Sequence, residues 1–381
     1  MRAVALLVIL LGFAQSAAAE DCTAPCVGST LTAEIKEDWL FQSSRYKLTS
    51  NTLLPEIGIE SFFMPVENLK LVSNIAIEQV IDPELGANST FDDVGAYVAE
   101  LYAELTLEPV TFKAGKFDPV FSLASAVADG IHSTDLAENA DMGESLSAQG
   151  TLAFEAFGLN HAFIGTAFSM DRSILAESLI TDRQEPKLAD GGAGNTSGVS
   201  SFQLVVDGCK GAEPGDCYED GAYGYRLGAR FQRHGRALPA EEDEDPVKPE
   251  NELAFLWAAN RNVEINDVTL RMLGEGAYLR NFEGSPDDAL ILTGSLAIVD
   301  GPLTYSTALS QQWNRIAKAD DTFERLGEVA LKYKPEDGGP FPGVDWSTGA
   351  GYTFAVNDAD ESTHTFSLRV DVELSRSQDL K

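Results

Sequence analysis

Positive charge is scarce in this 381-residue chain: 27 Lys and Arg stand against 60 Asp and Glu, for a formal net charge of −33. A polyphosphate partner needs a basic face that releases counterions, so nucleic acid is excluded as a partner. Histidine occurs only as His132, His161, His234 and His364. No G-x-S-x-G, H-E-x-x-H or phosphate-binding loop is present, and the neighbours His132 and Ser133 do not make a catalytic geometry by adjacency. The sequence therefore points away from an enzyme and offers no metal-ligand set and no cofactor motif. Long apolar runs are also missing, since nothing after the first residues approaches the roughly 20 needed for a spanning helix. Hydrophobic residues still make up 44% of the chain, too many for disorder.

The start of the chain indicates export. Arg2 is followed by the apolar run Val4–Leu11, then by Ala17-Ala18-Ala19 and the acidic pair Glu20-Asp21. A charged start, a short apolar stretch and an A-x-A site form a secretory signal peptide, assigned here to residues 1–19. A short segment, 20–29, follows it, then a body over 30–376 and a tail over 377–381. The four cysteines form two close pairs, Cys22/Cys26 and Cys209/Cys217. An exported chain meets oxidising conditions, so two local disulfides are expected; metal ligation is the competing use, but no histidine is near either pair.

What the body does contain is alternation with period two, the mark of strands with two unlike faces. Between Ser145 and Phe157, Leu146, Ala148, Gly150, Leu152, Phe154 and Ala156 fall on one face, and Ser147, Gln149, Thr151, Ala153 and Glu155 on the other. The stretches Tyr97–Glu108 and His364–Leu374 repeat the pattern. The predicted strands exceed the usual five or six residues. Tight turns at 64–68, 107–109, 158–160 and 300–302 alternate with long polar stretches at 118–144, 171–197 and 234–250. This is the rhythm of a transmembrane antiparallel β-barrel with short periplasmic turns and long extracellular loops. The pattern yields about 16 strands, within a range of 14–18, an even number that puts both ends on the periplasmic side. The first strand is set at 30–42 and the last at 362–375, and strands at 251–260 and 263–282 are the least well patterned. In hydrocarbon every backbone N–H and C=O must be paired within the protein, which demands closure. A barrel this wide holds water. The soluble alternative is a secreted β-sandwich.

The run Val110-Thr111-Phe112-Lys113-Ala114-Gly115-Lys116-Phe117-Asp118-Pro119-Val120-Phe121 resembles the strand, Gly-Lys-Phe, Pro, Phe stretch of Gram-negative outer-membrane porins of the phosphate-selective and siderophore type. There it leads from a barrel strand into a long loop, as 118–144 does here. The resemblance implies an outer-membrane porin passing small hydrophilic solutes or ions passively, surrounded by lipid and lipopolysaccharide, and it implies a homotrimer. The alternatives are a substrate-selective channel for a siderophore or other organic solute, and a plugged structural or adhesive barrel. Such barrels end on an aromatic residue, whereas the strand here finishes near Leu374 and is followed by Ser375–Lys381.

With apolar faces toward lipid, the opposite positions line the lumen. Glu56, Glu60, Glu78, Glu100, Glu104 and Glu155 form an acidic wall from the early strands. Lys113, which interrupts it, and Arg226, Arg230, Arg271 and Arg369 from later strands supply the basic side. Facing walls of opposite charge give a transverse field, and the acidic excess implies weak cation preference. The 118–144 loop either folds inward and narrows the channel or remains on the surface. The acidic run Glu241–Asp245 lacks the spacing and glycine of a calcium loop and reads as a solvated charge run. Aromatic residues such as Trp39, Phe62, Tyr97, Trp257, Trp313 and Tyr352 are expected in interfacial girdles.

Overall fold

Alternation along the chain becomes strand after strand. A computed structural model describes residues 22–44, 49–83, 86–183, 186–236, 249–317, 319–335 and 344–380. The signal-peptide residues 1–19 and the acidic run 241–245 lie outside the described residues. The strands are β1 (Cys26–Ser43), β2 (Ser50–Val66), β3 (Leu69–Gln79), β4 (Ser89–Thr90), β5 (Val94–Leu107), β6 (Val110–Phe117), β7 (Ser145–Ala156), β8 (Leu159–Met170) and β9 (Ser201–Lys210). They continue as β10 (Tyr223–Gln232), β11 (Glu252–Ile265), β12 (Val268–Arg280), β13 (Asp288–Asp300), β14 (Leu303–Arg315), β15 (Thr322–Tyr333), β16 (Asp345–Val356) and β17 (Ser362–Asp379). Apart from β4, a two-residue strand parallel to β2, they form one closed antiparallel barrel of 16 strands. Closure is made by β1 against β17, paired from Cys26 with Asp379 to Ser43 with Thr363, with a register shift between Leu40 and Gln42.

The apolar set predicted to face lipid lies outside. Leu101, Phe112, Leu146, Leu152, Phe154, Phe202, Leu204, Leu227 and Leu309 are all exposed on the outer surface. Two-residue connections such as Phe157–Gly158 sit at one end; both residues have positive φ, the geometry that matches the twist of a hairpin. That end also holds the start of β1 and the end of β17, and the 118–144 connection leaves from the other.

Three departures from the sequence expectation have local causes. β1 begins at Cys26 and β17 runs to Asp379, beyond the expected limits near 30 and 375. Their ends pair with each other through small and polar residues, with Thr30 Oγ1 and Ser375 Oγ 3.0 Å apart, so no apolar alternation marks them. The β11–β12 turn falls at Asn266–Asp267, where Asn266 takes a left-handed φ of 57°, and not near residue 261. Tyr97 and Phe62 belong to no girdle. Tyr97 is buried with its hydroxyl on Glu78, and Phe62 faces inward beneath the Lys70 ammonium, 4.9 Å from its ring centre.

The largest buried cluster is inside the barrel. Inward positions on β9–β13, namely Val205, Ala254, Leu256, Ala258, Ala277, Leu279, Ala289 and Ile291, surround Phe121 and Ala140 of the 118–144 loop. Both faces of these strands are therefore apolar, one for lipid and one for the loop. That is why the stretch 251–282 lacks clean alternation.

Candidate functional site

The 118–144 loop folds into the lumen and lies along the wall made by the later strands. Gln203 on β9 donates to the Val120 carbonyl at 3.0 Å, and Asp141 closes the root by accepting the N–H groups of Phe121 and Ser122, both at 2.8 Å. A single helical turn, α1 (Ala124–Val127), follows. Glu275 on β12 accepts three donors there: the Ser122 hydroxyl at 2.5 Å and the N–H groups of Leu123 and Ala124 at 2.6 and 3.0 Å. Further on, Glu328 on β15 accepts the N–H groups of Ile131 and His132 at 2.8 and 3.0 Å. These buried carboxylates satisfy backbone donors that a short irregular segment cannot pair by itself.

At the tip, the His132 ring reaches β1 and β17. Nε2 lies 3.1 Å from both Asp38 Oδ1 and Ser367 Oγ, and Nδ1 lies 3.0 Å from Asp135. Burial disfavours a charged imidazole, but the bonds to Asp135 and Asp38 outweigh it and push the pKa up to about 9. The carboxylate–imidazole–hydroxyl sequence has the outline of a nucleophile relay. Here, however, the raised pKa favours the protonated imidazole and Ser367 is fully buried, and the ring ties the loop tip to β1 and β17.

The charged residues singled out by sequence divide into two sets. Arg226 and Arg230 are covered by the loop. Arg226 grips Asp207 with two bonds of 2.7 and 2.8 Å and the Ser122 carbonyl at 3.1 Å. Arg230 holds Glu252 at 2.9 Å and the Ala140 carbonyl at 2.8 Å, with its guanidinium 4.8 Å from the Phe121 ring centre. Arg271 stacks 5.9 Å from the Tyr218 ring centre. Arg369 on β17 instead pairs with Glu34 at 2.8 Å and Asp371 at 2.6 Å.

The acids gather on the neighbouring strands β17, β1, β2, β3 and β5. Asp371, Glu34, Glu56 and Glu78 are directly opposite one another across β17, β1, β2 and β3, forming one continuous row. Glu60 is opposite Asn74, which is opposite Glu100; Glu104 is opposite both Lys70 and Lys113. Lys113 lies 3.6 Å from Glu100 and over the ring of Tyr102. Glu155 stands apart, opposite Asn160 near the Phe157 turn. Sequence reading did not single out Glu34, Lys36 and Asp38, although they alternate along β1, nor the isolated anchors Glu275 and Glu328. The two cysteine pairs are bonded, Cys22 to Cys26 and Cys209 to Cys217.

Cavities lie beside the loop and along the acidic row. One cavity of about 380 Å³ lies toward the turn end, between Asp129 and Ser133 of the loop and Lys332, Arg369 and Asp371 of the wall. A smaller one of about 150 Å³ is lined by Glu34, Lys36, Glu56 and Glu78.

A closed barrel of 16 antiparallel strands, apolar outside, charged inside and narrowed by an inward loop, has the fold of a porin-type outer-membrane β-barrel. No family model matches the sequence, and no curated protein matches it. Among solved structures, the chain is similar to the outer-membrane channel DcaP of Acinetobacter baumannii, with 9% identity over 94% of this chain and 100% of that one and a TM-score of 0.54. It is also similar to the outer-membrane protein OpdK of Pseudomonas aeruginosa, with 10% identity over 94% and 100% of the two chains and a TM-score of 0.51. OmpT of Vibrio cholerae matches with 12% identity over 92% and 98%, also at 0.51.

Proposed function

We propose that the chain is an outer-membrane porin that passes small hydrophilic solutes by passive diffusion and weakly prefers cations. One observation carries the charge preference. The inward loop is seated on the late-strand wall and uses Arg226 and Arg230 as anchors, each already paired with a carboxylate. The passage is left beside the Asp371–Glu34–Glu56–Glu78 row, so acid dominates what a moving ion meets. The likeness to DcaP, itself an outer-membrane channel, supports conduction. On this reading residues 1–19 are the export signal, the outer apolar belt contacts lipid, and the loops meet lipopolysaccharide.

The test is single-channel recording of the purified, folded protein in a planar bilayer under a salt gradient. Stepwise conductance with a reversal potential on the cation side is expected. Insertion without conductance would instead make the chain a plugged barrel, and a protein that stays soluble without detergent would end the membrane reading.

A further inference from the structure

The connection from β9 to β10 differs from its two-residue neighbours at the turn end. Residues 211–222 fold back inside the wall. Cys209, fully buried, is bonded to Cys217, and the side-chain amides of Asn260 and Asn262 on β11 hold the carbonyls of Cys217, Tyr218 and Gly221 at 3.1, 2.7 and 2.8 Å. Two glycines make room for this staple. A Cβ at Gly221 would sit 2.6 Å from the Cys209 sulfur, and one at Gly224 would sit 2.5 Å from the Cys217 sulfur. Tyr218 projects from the turn into the underside of the 118–144 loop. Its ring is 3% exposed and packs with Ala124, Ala128, Ala137 and Leu273, and its hydroxyl donates to Asp129 Oδ2 at 2.7 Å.

We propose that the 211–222 turn is a second constriction element, in which Tyr218 positions the inward loop through Asp129 and thereby sets the width and charge of the passage. The inference rests on the porin reading. A plain connection between β9 and β10 needs no inward fold, no disulfide and no aromatic side chain buried under another loop. Turn and loop also enclose the same cavity: Asp216 and Glu219 of the turn join Asp129 of the loop opposite Lys332 and Arg369. A solute that has passed the loop therefore meets the turn next. Tyr218 is a positioning residue, and the carboxylates beside it supply the charge.

The experiment compares wild type, Tyr218→Phe, Asp129→Asn, their double variant, and Cys209→Ala/Cys217→Ala by single-channel recording. Heat-modifiable electrophoretic mobility serves as the check on folding. Tyr218→Phe and Asp129→Asn are each expected to increase open-channel noise, and the double variant is expected to be no worse than either single one, because both remove the same bond. Cys209→Ala/Cys217→Ala is expected to raise conductance by about 1.5-fold and to move the reversal potential toward zero, since lumen charge and width set selectivity. A purely structural role would alter folding yield and leave both electrical readouts unchanged in the molecules that insert. Unchanged conductance, noise and reversal potential in folded Tyr218→Phe would overturn the proposal even if the cysteine variant failed to fold. A wild-type barrel that inserts but never conducts would overturn the porin reading, and this inference with it.

Discussion

The His132 imidazole and the Asp38 carboxylate meet 3.1 Å apart, one at the tip of the inward loop and the other on the first strand. The loop enters between β6 and β7, so this contact closes its span across the lumen. Since His132 is raised from 6.5 to about 9, the charged latch is complete below pH about 6.5 and is lost as pH rises through about 9. Current traces are expected to be quiet at neutral pH and to flicker above pH about 9. His132→Gln should flicker at all pH values. A flat pH response in the wild type would remove the latch from the account.

Glu275 and Glu328 make a prediction about stability. Each is buried, and each accepts backbone N–H groups of the loop. Replacing Glu275 with Ala leaves those donors without an acceptor, at about 1–3 kcal/mol for each buried group. The loop should become accessible to protease while the barrel itself stays resistant. Limited proteolysis followed by mass mapping of residues 118–144 reads this directly.

Gly228 lies on the inward face of β10 between Arg226 and Arg230, and a Cβ there would sit 2.6 Å from the Phe121 ring. Gly228→Leu is expected to eject Phe121 from its seat and free the root of the loop. Single-channel conductance should rise, with heat-modifiable mobility retained. If conductance is unaltered, Phe121 is not what holds the root down.

Two arginines with the same lumen-facing parity should behave differently. Arg369 lies among Glu34 and Asp371, so Arg369→Gln should make the reversal potential more cation-selective. Glu56→Gln should shift it the other way. Arg226 is fully engaged beneath the loop, so Arg226→Gln should loosen the loop, adding noise before it alters selectivity. Equal shifts from both arginines would contradict the division of the lumen into a seat and a passage.

Much of the barrel was legible because lipid imposes one rule on every strand. Leu146, Leu152 and Phe154 had to face outward together, and they do. The same parity placed Arg226, Arg230 and Arg369 in the lumen. It said nothing of which would face water, because that depends on where a loop comes to rest. Glu275 and Glu328 were passed over for the same reason: the partner of each is a backbone far away in sequence. The seat on β11–β13 was misleading in an informative way. Ala254, Leu256, Leu279 and Ile291 blur the alternation because that wall has an apolar neighbour on each side.

The seam between β1 and β17 has a consequence for how the molecule forms. Cys26 is opposite Asp379, so the two partners lie at nearly opposite ends of the chain, and all other wall strands are strung between them. Bringing such distant partners together costs loop-closure entropy, which falls if the intervening hairpins pair first. Pairs such as β7–β8 and β11–β12 join neighbours across two-residue turns. The two 18-residue strands are the longest in the barrel, and they pair along almost their whole length. Their extended hydrogen-bonded edge offsets the entropy of the last joining step, and it makes that step all-or-none: an unclosed sheet would leave two long unpaired edges in hydrocarbon. Strand length thus favours an order with hairpins first and the seam last.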